Sequence, residues 1–278
     1  MLTCFGDLCV DLVARSLTAP APGEDATVEH MAITMAGGAA NCAVAAASAG
    51  IAVELIGLVG TDALGDAMLA HLTAAGVGTS HVLRSSAPTG MVVSIVQPGG
   101  ERTLYSYRGA NAEAYGPLPE HLGDCVYLSG YSFQTESSRQ TALELKARAK
   151  MCALDPSFQF ARDFRCKYRD VLSGLHFLLP NREEARLMTS EDSVERSAAA
   201  LRAMGAGVVV IKLGTAGCFV DTGTLSEYVP VEPLESVADS TGAGDTFCGA
   251  FLAAILDGCD EIEAAQRGNR AARKRLGG

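Results

Sequence analysis

The chain has 278 residues and a mass of 28.8 kDa, and its 48% hydrophobic content is ample for a substantial core in one large α/β domain or two small ones. A formal net charge of -10 argues against a general nucleic-acid binder; the only basic cluster is "RAARKR" near the end, where Lys and Arg complement a helix dipole. The nine cysteines, at 4, 9, 42, 125, 152, 166, 218, 248 and 259, show no CxxC pair and no matching His spacing, so reduced thiols in a cytoplasmic protein are expected and no structural zinc is implied.

The opening "MLTCFGDLCVDLVAR" places Asp7 and Asp11 where a signal peptide needs a basic start and an unbroken apolar run, so export is not expected. "DLCVDLVAR" and "ATVEHMAI" read as short strands. The segment 31–53 is uncharged and long enough to span a bilayer, but it is mainly Ala and Gly and is interrupted by Gly37, Gly38 and Asn41. A turn followed by a buried helix over 41–49 is the better reading, and no membrane partner is expected.

Further along, strand-like runs at 53–60, 125–130, 150–156, 175–181 and 207–214 alternate with helical segments such as 66–75, 137–149 and 194–204. This is the pattern of an α/β protein with a largely parallel sheet. "TGMVVSIVQPGGERTLYSY" (89–107) breaks it with two strands around a Pro-Gly-Gly turn. With the early strands it predicts a small antiparallel sheet, a plausible water-excluding lid. No Pro/Ser-rich linker or internal repeat divides the chain, so one domain over 1–278 is expected, with lid strands from about 8–34 and 88–110.

Two constellations carry chemistry. In "DSTGAGDTFCGAF" (239–251), Gly242, Ala243 and Gly244 precede an apolar helix, whose unpaired N–H groups and dipole suit an anion. Asp245 is not needed by a passive anion site; kept ionised by the helix terminus, it could accept a hydroxyl proton as that oxygen attacks a γ-phosphate. The plainer alternative makes Asp245 an ordinary N-cap after a tight turn. In "AGGAANCAVAAASAG" (36–50), Gly37 and Gly38 leave room for a ligand against the backbone, and Asn41, opening the helix, offers a donor and an acceptor to sugar hydroxyls. Its alternative is a Gly turn with an Asn cap.

These two stretches, with Gly60, resemble the two signature motifs of the PfkB family of carbohydrate kinases, which have the ribokinase-like fold. "LLPNREEA" resembles the family's N-x-x-E motif at Asn181 and Glu184, and "KLGTAG" (212–217) resembles its nucleotide-side hairpin. The resemblance covers nearly the whole chain and implies a three-layer α/β/α domain with a mostly parallel sheet and a small β lid. It implies an ATP- and Mg²⁺-dependent sugar kinase acting on a primary hydroxyl. Asp245 would be the base, Gly242, Ala243 and Gly244 the anion hole, and Asp11, Gly37, Gly38, Asn41 and Arg108 the sugar contacts. Asn181, Lys212, Thr215 and Gly217 would lie near the nucleotide, Glu184 would help organise Mg²⁺ through water, and Asp239 would contribute to a K⁺ site. Read without the family, Asn181 and Glu184 are helix-capping residues.

A Walker P-loop is absent, and Gly242, Gly244 and Gly249 lack the Rossmann spacing. "RGAN" (108–111) resembles ribokinase-like and fructokinase-like members, while "YSYR" (105–108) is similar to ketodeoxygluconate kinases, whose second Arg near "LDPS" (154–157) is not evident here. A nucleoside kinase stays open, with Tyr105, Tyr107, Tyr131 and Phe133 as walls for a base. So does an inactive sugar- or nucleotide-binding protein, because the last helix carries Arg270, Arg273, Lys274 and Arg275 in place of a more Ala-rich face. A homodimer through an exposed lid sheet is a further expectation.

Overall fold

The computed structural model describes residues 1–15, 23–25, 27–28, 30–97, 102–232, 234 and 241–277. The first half of the chain forms β1 (Leu2–Phe5), β2 (Cys9–Arg15), β3 (His30–Ala36), α1 (Gly38–Ser48), β4 (Val53–Gly60), α2 (Ala63–Ala74), β5 (Gly78–Ser85), β6 (Gly90–Val96), β7 (Arg102–Tyr107) and β8 (Cys125–Ser129). The second half forms α3 (Glu136–Arg148), β9 (Cys152–Asp155), α4 (Phe158–Lys167), β10 (Leu175–Leu178), α5 (Arg182–Thr189), α6 (Val194–Ala203), β11 (Ala206–Lys212), β12 (Cys218–Asp221), β13 (Ser226–Val229), α7 (Ala243–Leu256) and α8 (Glu261–Gly277).

Among the described residues nine strands make the main sheet in the order β13-β12-β11-β10-β9-β8-β1-β4-β5, parallel from β5 through to β11 and antiparallel at the β11-β12-β13 edge. Both faces are buried, which is why the strands read as continuous apolar runs. Alternate residues supply two cores: Cys125 and Tyr127 face α1 and α7, whereas Val126 and Leu128 join Phe160 and Phe164 of α4 on the other side. The result is the three-layer α/β/α arrangement expected.

The segment 31–53 divides into an edge strand and the buried Ala-rich helix α1. Among the described residues no helix is long and apolar enough to cross a membrane. The helix starts at Gly38, so Asn41 lies inside its first turns instead of opening it. Its small side chains let α7 approach closely: a Cβ on Gly249 would lie 2.2 Å from the Cys42 carbonyl oxygen.

The second sheet has the order β3-β2-β6-β7. It is mixed, because β2 and β6 run parallel with Cys9 opposite Gly90 and Val96 opposite Arg15. An antiparallel pairing was expected from the sequence, but β2 leads directly out of β1 and β6 out of β5, and those parents run the same way in the main sheet.

Asp62 holds the root of β6. It N-caps α2 by accepting from Gly65 N at 2.8 Å, and its carboxylate also accepts from the Thr89 backbone N–H and hydroxyl at 2.7 and 2.6 Å. Asp62→Ala removes a cap and leaves two donors unpaired, and urea denaturation is expected to show a loss of about 1–2 kcal/mol.

Candidate active site

The first turn of α7 is set by backbone geometry. Gly242 is the N-cap with φ 73°, a left-handed conformation that glycine adopts without strain, and a Cβ there would lie 3.0 Å from Arg275 Nε and Nη2 and 3.1 Å from Asn41 Nδ2. Thr246 is the first residue whose N–H bonds back, to the Gly242 carbonyl at 2.9 Å. The N–H groups of Ala243, Gly244 and Asp245 therefore have no intrahelical acceptor, and they point out of the positive end of a 14-residue helix.

Asp245 is the third residue of this helix and not its cap, which sets aside the capping alternative. Its Oδ2 accepts from Asn41 Nδ2 at 2.9 Å. Burial, then the Asp155 charge, pushes its carboxyl up from 3.8 to about 6, against the Asn41 hydrogen bond and the charges of Lys212 and Arg275. The helix terminus was expected to keep this group ionised; desolvation opposes the terminus and sets its value above that of a free carboxyl.

On one side of the turn lies a cavity of about 290 Å³, bordered by Asp7, Asp11, Gly37, Gly38, Asn41, Arg108, Gly242 and Asp245 and roofed by Val13, Val92, Val96 and Leu104 of the second sheet. Every sugar-side residue expected from sequence borders this space. The glycines, however, answer to the protein itself: a Cβ on Gly37 (φ 112°) would lie 2.1 Å from the Asp7 carbonyl oxygen, and one on Gly38 would lie 2.9 Å from Ser129 Oγ. Tyr107 and Tyr131 also border the cavity. Tyr105 projects from the opposite sheet face, paired with Val93, and Phe133 is buried against Phe160 and Tyr168 in the core, so these two are removed from the aromatic wall.

Arg108, directly after β7, is mostly buried. Its guanidinium forks onto Asp7 at 2.8 and 2.9 Å, also donates to Gln134 Oε1 at 2.8 Å, and leaves Nε buried without a partner among the described residues. Burial raises the Asp7 carboxyl, and Arg108 opposes the rise. Asn111 pins the same junction by bonding both the N–H and the carbonyl of Leu8, at 3.0 and 2.8 Å.

On the other side of the turn, a cleft of about 100 Å³ is bordered by Lys212, Thr215, Gly217, Ala243, Gly244, Phe247 and Asn269, and it adjoins a hollow of about 640 Å³ edged by Glu232, Arg270 and Lys274. The α7 turn is thus the wall between two clefts. Lys212 Nζ lies 2.6 Å from Asp155 Oδ1 and 3.3 Å from where a Gly244 Cβ would stand. Burial works against the Lys212 charge, but Asp155, Cys248 and Glu184 more than compensate and hold its ammonium above the ordinary value.

Asn181 and Glu184 form a reciprocal capping box on α5, with Glu184 N to Asn181 Oδ1 at 2.9 Å and Asn181 N to Glu184 Oε2 at 2.8 Å. Burial, then Asp155, pushes Glu184 up to about 8. Asp155 and Cys248 were missed from sequence; the available signal was the position of Asp155 at the carboxyl end of β9, where open α/β sheets bind ligands. Among the described residues no group of three or more His, Cys, Asp or Glu side chains forms a metal site. Asp239 lies outside the described residues.

Comparison with known proteins identifies the family and the fold. The description "pfkB family carbohydrate kinase" matches residues 1–277. A ribokinase of Bacillus subtilis is 31% identical over 277 residues, covering 96% of this chain and 90% of the relative. A 2-dehydro-3-deoxygluconokinase of the same organism is 29% identical, covering 84% of this chain and 78% of its own length. The structure of Arabidopsis thaliana ribokinase complexed with ribose and ATP superposes with a TM-score of 0.83 at 25% identity, covering 98% of this chain and 90% of that one.

The raised Asp245 value has a stability consequence. A carboxyl that titrates higher when folded favours the fold below its unfolded value and loses that contribution as pH rises through about 6. Asp245→Asn, which keeps an acceptor for Asn41, is therefore expected to be more stable than the wild type at pH 8 by about 1–2 kcal/mol, visible as a melting temperature a few degrees higher. The advantage should vanish below pH ~4.

Proposed function

The chain belongs to the pfkB family of carbohydrate kinases, and on that premise we propose that Asp245 is the base in ATP-dependent phosphorylation of a small neutral sugar. The single observation that carries this is the position of the α7 turn as the shared wall of two clefts, with Asp245 on one side and Gly244 on the other. A primary hydroxyl on the sugar side gives its proton to the Asp245 carboxylate as its oxygen bonds to the γ-phosphorus. The bond to the β–γ bridging oxygen breaks, and ADP leaves. The free N–H groups of Ala243, Gly244 and Asp245, at the turn that Gly242 opens, stabilise the charge on the transferred group. At about 6, Asp245 is roughly nine-tenths anionic at pH 7, yet basic enough to take the proton.

The sugar contacts are Asp11, Asn41 and the Asp7–Arg108 pair; Lys212, Thr215, Gly217 and the Asn181 end of α5 serve the nucleotide. Mg²⁺, which neutralises phosphate charge when bound, keeps most of its waters and needs few protein ligands. Glu184, beside Asp155 and Lys212, suits a contact through such water. A monovalent cation at Asp239 is kept as a proposal from sequence.

The second sheet is proposed as the lid of a single kinase domain in a cytoplasmic protein. Its outer face carries the row Ile33, Leu12, Val93, Tyr105, with Ile33 61% and Tyr105 66% exposed. This exposed apolar row supports the homodimer reading, in which a second copy covers it.

The substrate reading follows from charge. Arg108 is committed to Asp7, and Asp11 and Asp245 add further carboxylates, so among the described residues the cavity has no spare cation for a sugar acid. The apolar roof favours a nucleoside as second reading. In an assay of ADP release from Mg·ATP across ribose, fructose, 2-dehydro-3-deoxygluconate, adenosine and cytidine, a neutral sugar should be turned over at least tenfold faster than the sugar acid. Preference for the acid contradicts the charge argument, preference for a riboside supports the second reading, and no turnover on any compound contradicts the kinase reading.

A further inference from the structure

The last turn of α8 brings a cation to the anion turn that the proposed reaction does not otherwise use. Arg275 Nε donates to the Thr241 carbonyl at 3.1 Å, immediately before the Gly242 N-cap. The guanidinium lies so close to Gly242 that any Cβ there would stand 3.0 Å from Nε and Nη2. On the opposite flank Lys212 Nζ occupies the matching place beside Gly244. The two glycines of the turn are thus each faced by a cation, one from β11 and one from α8.

We propose that Arg275 is a positioning residue for phosphoryl transfer: seated on the Thr241–Gly242 backbone, it fixes the α7 turn as an anion hole and keeps a positive charge beside it. This rests on the reading of that turn as the transfer site. Lys212 is already paired with Asp155, so its charge is largely answered within the protein. Arg275 spends its Nε on a neutral carbonyl, which leaves its charge to act on the turn and on Asp245, where it favours the anion. The other titratable groups around Asp245 are Cys9 on β2, Cys42 on α1, Tyr127 on β8, Tyr131 after β8, Asp155 on β9, Glu184 on α5 and Cys248 on α7; a negative charge on Asp245 disfavours charge on the three cysteines, the two tyrosines and Glu184, and the Asp155 charge raises Asp245. Lys212 is the second cation acting on it, so Arg275 is one of two cations that, with the Asn41 hydrogen bond, hold Asp245 ionised against this surrounding.

The test compares wild type, R275A and R275K, with Asp245→Asn supplying the signal assignment. Carbon-13 NMR follows the Asp245 carboxyl through pH, calorimetry measures ADP binding, and steady-state assays give kcat and KM on the accepted sugar. Arg275 is exposed, so R275A is expected to melt within a few degrees of wild type, and R275K guards against a fold effect. The Asp245 midpoint should rise by about half a pH unit in R275A and stay near wild type in R275K. ADP should bind more weakly in R275A, and kcat should fall about tenfold with the sugar KM unchanged, with most of the loss recovered by Lys. An unmoved midpoint, or a moved midpoint with unaltered kcat, overturns the proposal. Absence of turnover in wild type contradicts the kinase reading instead; the midpoint and ADP binding then decide the role of Arg275 by themselves.

Discussion

The close contact of α1 with α7 is the constraint on which the site depends. Two small-residue helices meet so tightly that the Cys42 carbonyl oxygen would lie 2.2 Å from a Cβ on Gly249, and this proximity carries Asn41 to Asp245 at 2.9 Å. The same packing aims the positive end of α7 between the clefts. A larger residue at the contact would move the turn by an ångström or more, and misplacement on that scale costs reactions that depend on alignment.

Electrostatics then sets what the turn can do. Asp155, Glu184 and Asp245 crowd around Lys212, with Arg275 acting on Asp245 from α8, so three carboxylates share two cations. Burial makes the imbalance worse and pushes Asp245 to about 6 and Glu184 to about 8. A fold selected for stability alone would replace these groups. Their presence together, at the carboxyl ends of β9 and β11 and the start of α5 and α7, marks a place where stability has been given up for chemistry.

Much of this was legible in the sequence because the signals were local. Strand runs at 53–60 and 207–214 coincide with β4 and β11 within a residue or two, and the Gly-rich turn before α7 announces itself. What could not be read was set by tertiary approach. The partner of Arg108 is Asp7, 101 residues away, and nothing near either residue says so. The parallel pairing of β2 with β6 depends on the directions of their parent strands. The value of Asp245 depends on burial and on Asp155, both invisible in "GAGD", where helix geometry by itself suggests a lower one. Gly37 was read as room for a ligand, but the crossing Asp7 backbone demands it.

The account stands most directly on the proton accepted by Asp245. The decisive measurement is single-turnover phosphoryl transfer to the accepted sugar by wild type and Asp245→Asn, with sugar binding followed by calorimetry on the same samples. Loss of transfer by about three or more powers of ten with sugar affinity preserved is the predicted result. Transfer within tenfold of wild type would show that Asp245 takes no proton in the reaction, and the account would fail.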